Sequence, residues 1–170
     1  MFFLYADFFP CQIDQLAEKG KNYPWPVPDC CPKCNGRIWK NGFTTAYFYP
    51  ISQPVFIRKL ICPDCKSVFR FRPNGYLPYY NVPLTAIFLA LFSVDSRKEK
   101  TPEISTETRK SWLKRLKKQI KLTLMKLTSR DYRNGFLELL EKGFRPVSYP
   151  ANLRIPPGFT YSTEIHLFSG

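Results

Sequence analysis

Five of the six cysteines fall into two short runs, Cys30-Cys31-Pro32-Lys33-Cys34-Asn35-Gly36 and Cys62-Pro63-Asp64-Cys65-Lys66-Ser67. Each run contains Cys-Pro-x-Cys followed by small or polar residues. Two thiolates two residues apart can converge on one ion from a tight turn, whose backbone N–H groups face the sulfurs and stabilise their charge. Two such turns complete a tetrahedral four-thiolate site from Cys31, Cys34, Cys62 and Cys65. Cys30 is an alternative to Cys31, but Cys31 gives the regular spacing to Cys34. Four protein sulfurs leave no open coordination position. The expected chemistry is therefore structural: one Zn2+ that stabilises the fold and activates no water.

Two other uses of these cysteines compete with zinc. Disulfides suit secreted chains, and the apolar start Met1 to Phe9 lacks the basic region and cleavage site of a signal peptide. Iron held by four thiolates, as in rubredoxin, uses similar turns. Rubredoxins are acidic, whereas residues 31–80 carry eight basic residues and one acidic residue, net +7. Cys11 stands apart and reads as a small buried residue.

The elements that must position the cysteines read as β-structure. Arg37 to Lys40 reads as a strand, Asn41-Gly42 as a two-residue hairpin turn, and Phe43 to Tyr49 as a run of β-formers. Pro50 to Pro54 reads as a turn, and Val55 to Ile61 and Val68 to Phe71 as two further strands. Turn, hairpin, turn, strand is the order of a zinc ribbon. Met1 to Phe9 reads as a buried strand. Pro24, Pro26 and Pro28, and later Pro146, Pro150, Pro156 and Pro157, mark extended wrapping segments.

The second half reads as helical. Leu84, Ile87, Phe88, Leu91 and Phe92 follow Pro83 at the offsets of an amphipathic helix. Ser93 to Pro102 is a polar break. A second helix starts at a Ser105 or Thr106 cap and carries Leu113, Leu116, Ile120, Leu124 and Leu127 on one face. Unbroken from 105 to 128 it would reach ~36 Å. A third helix runs from Tyr132 to Lys142, presents Phe136, Leu137, Leu139 and Leu140, and ends at Gly143.

Charge separates these regions. The chain of 170 residues carries 26 Lys plus Arg and 13 Asp plus Glu, a net charge of +13. Residues 1–30 are net −2 and residues 134–170 are neutral, so the excess lies in the middle. Residues 105–133 alone hold ten basic and two acidic residues. Such a helix suits a polyanion. Thr106, Thr108, Arg109, Lys110, Lys114, Arg115, Lys117, Lys118 and Lys121 are the candidate base or phosphate contacts, by analogy with the recognition helix of a helix-turn-helix.

Enzyme classes lose their parts. There is one histidine, His166, which removes triad hydrolases and His-rich metal catalysis. The acidic residues form no pair suited to a two-metal nuclease or a glycosidase. The eight glycines make no phosphate-binding loop. No apolar run approaches a membrane span, so a cytoplasmic protein is expected.

The residues Cys31-Pro32-x-Cys34-Asn35-Gly36, Trp39-Lys40-Asn41-Gly42-Phe43, Ile57-Arg58-Lys59-Leu60-Ile61-Cys62-Pro63-Asp64-Cys65, Phe69 and Leu77-Pro78-Tyr79 resemble the zinc ribbons that head certain bacterial transposases. They look closer still to an uncharacterised family of small bacterial proteins in which a ribbon precedes a helix-turn-helix-like region. The resemblance covers residues 1–92 well and 105–116 loosely. It implies DNA binding connected with mobile elements. The catalytic domain of a transposase, with its three separated carboxylates, has no counterpart in these residues.

The expectation is an α+β protein: an N-terminal segment plus zinc ribbon over 1–80, a helical basic region over 81–145, and a proline-rich tail over 146–170. Its expected role is non-enzymatic binding of duplex DNA, as an accessory or regulator of a mobile element. Two alternatives stand beside it. One is a protein–protein adaptor docking a transposase or another larger enzyme. The other is a single-stranded RNA binder that stacks bases on Trp39, Phe43 and Tyr47.

Overall fold

The computed structural model describes residues 4–92, 104–124, 131–149 and 153–155. They form two units that divide between Val82 and Pro83. Helices and strands are both present, so the chain is α+β.

The first unit is built on a four-stranded sheet in the order β1-β4-β3-β2. The strands are β1 (Leu4–Cys11), β2 (Trp39–Ala46), β3 (Val55–Ile61) and β4 (Val68–Pro73). β2, β3 and β4 pair antiparallel, and β1 adds to β4 in parallel. Pro10 sits within β1, where an edge strand can tolerate its missing N–H.

A short helix, α1 (Ile13–Lys19), follows β1 directly. At two turns it is too short for apolar periodicity to reveal it. Its end signals are nonetheless present. Asp14 lies in the first turn and Lys19 in the last, where each complements the helix dipole. Gly20, at φ +53°, then ends the helix. Leu16 is the residue α1 buries fully.

The Pro24–Pro28 stretch is neither helix nor strand; a tight turn at Pro24, closed by Trp25 N–H donating to Tyr23 O at 2.7 Å, carries Trp25 into the core. The Trp25 ring meets Phe71 edge-on at 5.0 Å and Phe43 at 6.0 Å. Its indole N–H donates to the Lys21 carbonyl at 3.2 Å, which satisfies the polar atom that burial would otherwise strand. Leu60, Phe69 and Phe71 from the two central strands complete this core with Ile38, Phe48 and Tyr76. The Tyr76 hydroxyl donates to the Tyr49 carbonyl. Burial, reinforced by Asp14 and Tyr49, pushes this phenol up to about 12, so it keeps the proton it donates.

Asn41-Gly42 is not the hairpin turn its sequence suggests. Both residues lie inside β2. Lys40 pairs with Leu60 and Phe43 with Arg58, so three steps along β2 match two along β3. That extra residue is a β-bulge, and Gly42 accommodates it at φ +68°. The reversal comes instead at Tyr47–Pro54, where the Tyr49–Pro50 peptide is cis. An Asn-Gly pair supplies the left-handed backbone that a two-residue turn and a bulge both need, so the dipeptide does not tell them apart.

Among the described residues the second unit holds three helices: α2 (Leu84–Phe92), α3 (Thr106–Thr123) and α4 (Tyr132–Glu141). Leu84, Ile87, Phe88 and Leu91 are buried as their spacing requires. Phe136 of α4 meets Phe88 at 5.4 Å and Phe92 at 5.8 Å. Asp131 caps α4, accepting from the N–H groups of Arg133 and Asn134 at 3.1 Å. Gly143, at φ +71°, follows its end. The chain then closes on itself: Arg145 N–H donates to Leu153 O at 2.9 Å, and Ile155 N–H to Gly143 O at 2.8 Å.

α3 is shorter than its leucine spacing suggests. It ends at Thr123, about 27 Å from its start. At ~100° per residue, Leu124 in a continuing helix would stand well off the centre of the buried stripe. It leaves the helix and is buried instead. The stripe itself is Trp112, Leu116, Gln119 and Ile120. Leu113 is only half-buried. The expected break at Ser93–Pro102, Lys126, Leu127, Pro150, Pro156, Pro157 and His166 lie outside the described residues.

Candidate metal centre and basic helix

Cys31, Cys34, Cys62 and Cys65 are brought together. Their sulfurs all lie within 4.8 Å of one another. Cys31 and Cys65 are 3.7 Å apart, and Cys34 and Cys62 are 3.5 Å apart. A tetrahedral ion at a metal–sulfur distance of ~2.3 Å has sulfur–sulfur edges of about 3.8 Å. The four thiols therefore fit one metal ion, and they stand too far apart for disulfides. Cys30 is not part of this cluster.

The two turns that hold the sulfurs are built alike. Cys31 N–H donates to Gly36 O at 2.8 Å, and Cys62 N–H to Ser67 O at 2.9 Å. Five residues separate donor and acceptor in both. The residue after the second cysteine is left-handed in both, Asn35 at φ +58° and Lys66 at φ +59°. This kink lets the chain fold back so that N–H groups face sulfur. The Cys65 N–H points at the Cys62 sulfur at 3.5 Å.

The turns are also tied to each other. Arg37 N–H donates to Oδ2 of Asp64 at 3.0 Å, and the Arg37 guanidinium lies 3.8 Å from Oδ1. Residue 37 follows the first turn and residue 64 lies within the second, so this carboxylate fixes their separation. Cysteine spacing alone does not single out Asp64. The one signal it gives in sequence is that it is the lone acidic residue among 31–80.

The thiols do not share one environment. The Ser67 hydroxyl and then its backbone N–H hold the Cys65 thiol down to about 6. At Cys34 the Gly36 N–H bond acts downward, but the neighbouring sulfurs and burial outweigh it and raise the thiol to about 12. Burial also raises Cys31. Crowding four ionisable sulfurs without a cation resists their joint ionisation, and a divalent ion reverses that balance. Cys11 lies outside the cluster and is buried, as expected. Burial pushes its thiol up to about 12, partly opposed by Arg72.

The basic candidates all lie on α3. Ser105 caps it, accepting from Thr108 N–H at 3.2 Å, and its hydroxyl donates to Thr108 Oγ1 at 3.0 Å. Thr108 is thus engaged in the cap, while Thr106 is exposed beside it. At ~100° per residue, Lys110, Lys114, Lys117, Lys118 and Lys121 fall within an arc of about 100°, opposite the Trp112–Leu116–Gln119–Ile120 stripe. All five are exposed. Arg115 flanks the arc, whereas Arg109 falls on the side of the buried stripe, at the start of the helix, and reaches the Leu91 carbonyl at 3.5 Å. Lys117 sits 4.9 Å over the Tyr132 ring.

The aromatic trio Trp39, Phe43 and Tyr47 does not form one surface. Trp39 and Tyr47 are exposed. Phe43 is partly buried against the core, with the Arg58 guanidinium 4.0 Å over its ring. The bulge between Lys40 and Phe43 also puts Trp39 and Phe43 on opposite faces of the sheet. Among the described residues, no helix is long and apolar enough to cross a membrane. The chain matches no family model, no curated protein and no solved structure.

Proposed function

We propose that the chain is a non-enzymatic zinc-ribbon protein that binds duplex DNA, as an accessory or regulator of a mobile genetic element. The observation that carries the DNA reading is the arc of five exposed lysines on α3, opposite its buried stripe. Like charges packed along one helix face repel each other. A polyanion laid along that face relieves the repulsion and releases its own counterions.

In this reading the four thiolates hold Zn2+ as a closed structural site. Zn2+ suits an all-sulfur tetrahedron and has no redox chemistry to perform there. The ion supplies cross-linking of the two turns, and the turn N–H groups and Ser67 stabilise the sulfur charge. α2 and α3 would act as a helix-turn-helix-like pair, with Arg115 at the margin of the lysine arc and Arg109 at the N-terminal end of the helix. The cytoplasm is the compartment that suits such thiolates and such a partner.

The test is a salt titration of binding to duplex DNA, single-stranded DNA and RNA of matched length. Duplex preference with a slope of about −4 to −8, meaning several phosphates neutralised, supports the reading. Absence of duplex binding at low salt overturns it and makes a protein-adaptor role the leading alternative.

A further inference from the structure

Trp39 is 53% exposed, although it stands in a strand beside the metal turns. Its register neighbours are apolar. Trp39 pairs with Ile61, and Ile61 pairs with Val68, so the three form one row across β2, β3 and β4. Ile61 and Val68 are only half-buried. The next row on the same face is Lys59 opposite Arg70. Like charges directly opposite across an antiparallel pair destabilise it. The Arg37 guanidinium lies 5.7 Å from the Trp39 ring. This corner of the sheet therefore joins a half-exposed indole, with Arg37 over its ring, to an apolar row and to the facing cations Lys59 and Arg70. Arg37 is itself paired with Asp64.

We propose that this face takes an unpaired nucleobase, stacked on Trp39, with the adjoining phosphates drawn to Lys59 and Arg70. The ligand class is single-stranded nucleic acid, DNA or RNA. Stacking needs a free base face, which a base inside a duplex lacks because its neighbours cover both sides. The anionic chain also explains why Lys59 and Arg70 stand opposite each other: a phosphate between them turns a destabilising pair into a binding one. The inference is separate from the α3 reading, since it uses no residue of that helix.

The experiment uses the metal-loaded full chain and a twelve-nucleotide oligo(dT), a matched oligo(U), a blunt duplex and poly-glutamate. Tryptophan fluorescence and affinity are read for wild type, Trp39→Ala, Trp39→Phe, and Lys59→Gln with Arg70→Gln. Circular dichroism and metal content confirm that each variant is folded. Oligo(dT) or oligo(U) should quench wild-type fluorescence. Trp39→Ala should weaken single-strand binding by about 10-fold and abolish the quench, while duplex affinity stays unchanged. Trp39→Phe should keep most of the affinity, and the charge variant should flatten the salt dependence. The oligo(dT) and oligo(U) arms identify the preferred strand.

Three results overturn the proposal: single-strand binding unaltered in Trp39→Ala, equal loss on the duplex, or a comparable quench by poly-glutamate, which would assign the face to an acidic protein. Failure of the α3 reading looks different. It removes duplex binding and leaves the Trp39-dependent quench in place.

Discussion

A β-carbon on residue 36 would run into Oδ2 of Asp64 and stand 3.2 Å from the Cys34 sulfur. The carboxylate cannot simply swing aside, because the same oxygen accepts from Arg37 N–H at 3.0 Å. Gly36 is thus the point where the two metal turns touch. Gly36→Ala should displace Asp64, crowd a ligand sulfur and lower metal affinity by about 10- to 100-fold, the usual cost of disturbing a ligand's supporting contacts. Competition with a chromogenic chelator measures this. Gly42→Ala is the matched control. Its added Cβ meets nothing within 4 Å. It should cost only the ~1 kcal/mol of left-handed backbone strain and leave metal affinity alone.

The cysteine spacing is enough to assemble the four-sulfur cluster, because two C-x-x-C turns on a short hairpin leave few other arrangements. β3 is legible to the residue, since Val55-Phe56-Ile57 and Leu60-Ile61 lie between a proline turn and a cysteine turn. Asn41-Gly42 misleads because sequence cannot say whether a left-handed glycine turns the chain or only bulges it. The role of Asp64 is hidden for a different reason. It bridges residues 27 apart, and no local pattern announces a contact of that range. Gln119 likewise looks like polar surface in the sequence, although it is fully buried.

Ser67 should help the metal site resist acid at Cys65. Its hydroxyl and N–H hold the Cys65 thiol near 6, below the ordinary thiol value. A depressed acid favours the thiolate above its ordinary range and loses that advantage as pH falls through about 6. Protons should therefore compete with metal at Cys65 only in mildly acidic solution. Ser67→Ala removes the hydroxyl but keeps the backbone N–H. The pH of half metal release should rise by about half a unit, since less acidic thiols lose the metal earlier. An acid titration with a metal indicator reads the shift directly.

Cys11 should report whether the metal holds the first unit together. In the folded chain it is 2% exposed and its thiol is pushed up to about 12, so alkylating reagents should not touch it at neutral pH. Stripping the metal with a chelator, or breaking the site with Cys34→Ser or Cys65→Ser, should unfold the sheet and make Cys11 reactive. Mass spectrometry after iodoacetamide locates the labelled residue. Continued protection of Cys11 in chelator would mean that the sheet stands without its ion.

Gln119 should matter to stability far more than its neighbours on α3. Its amide donates to the Arg145 carbonyl at 2.6 Å and to the Ser148 hydroxyl at 3.1 Å. These bonds pin the segment after α4 against α3. Gln119→Leu keeps the bulk but leaves buried polar atoms without this donor. The expected loss is about 1–3 kcal/mol, read as a lower thermal midpoint for the second unit. The neighbouring Lys118→Ala, on the exposed face, should change stability by less than about 0.5 kcal/mol.

The lysine arc itself separates binding from folding. Lys114, Lys117, Lys118 and Lys121 are exposed and lie opposite the buried stripe, so replacing all four should leave the helical circular dichroism intact. Removing like charges from one face even relieves repulsion within the helix. Duplex affinity, in contrast, should fall, and the slope of log K against log salt should flatten by ~0.9 for each phosphate that is no longer neutralised. Lys117 is the member with a second role, because it sits 4.9 Å over the Tyr132 ring. A triple variant that spares Lys117 should therefore be more stable than the quadruple one and keep ~0.9 more of the salt slope. If the slope is unchanged in both, DNA phosphates are held by another surface, and α3 is only a solvated helix.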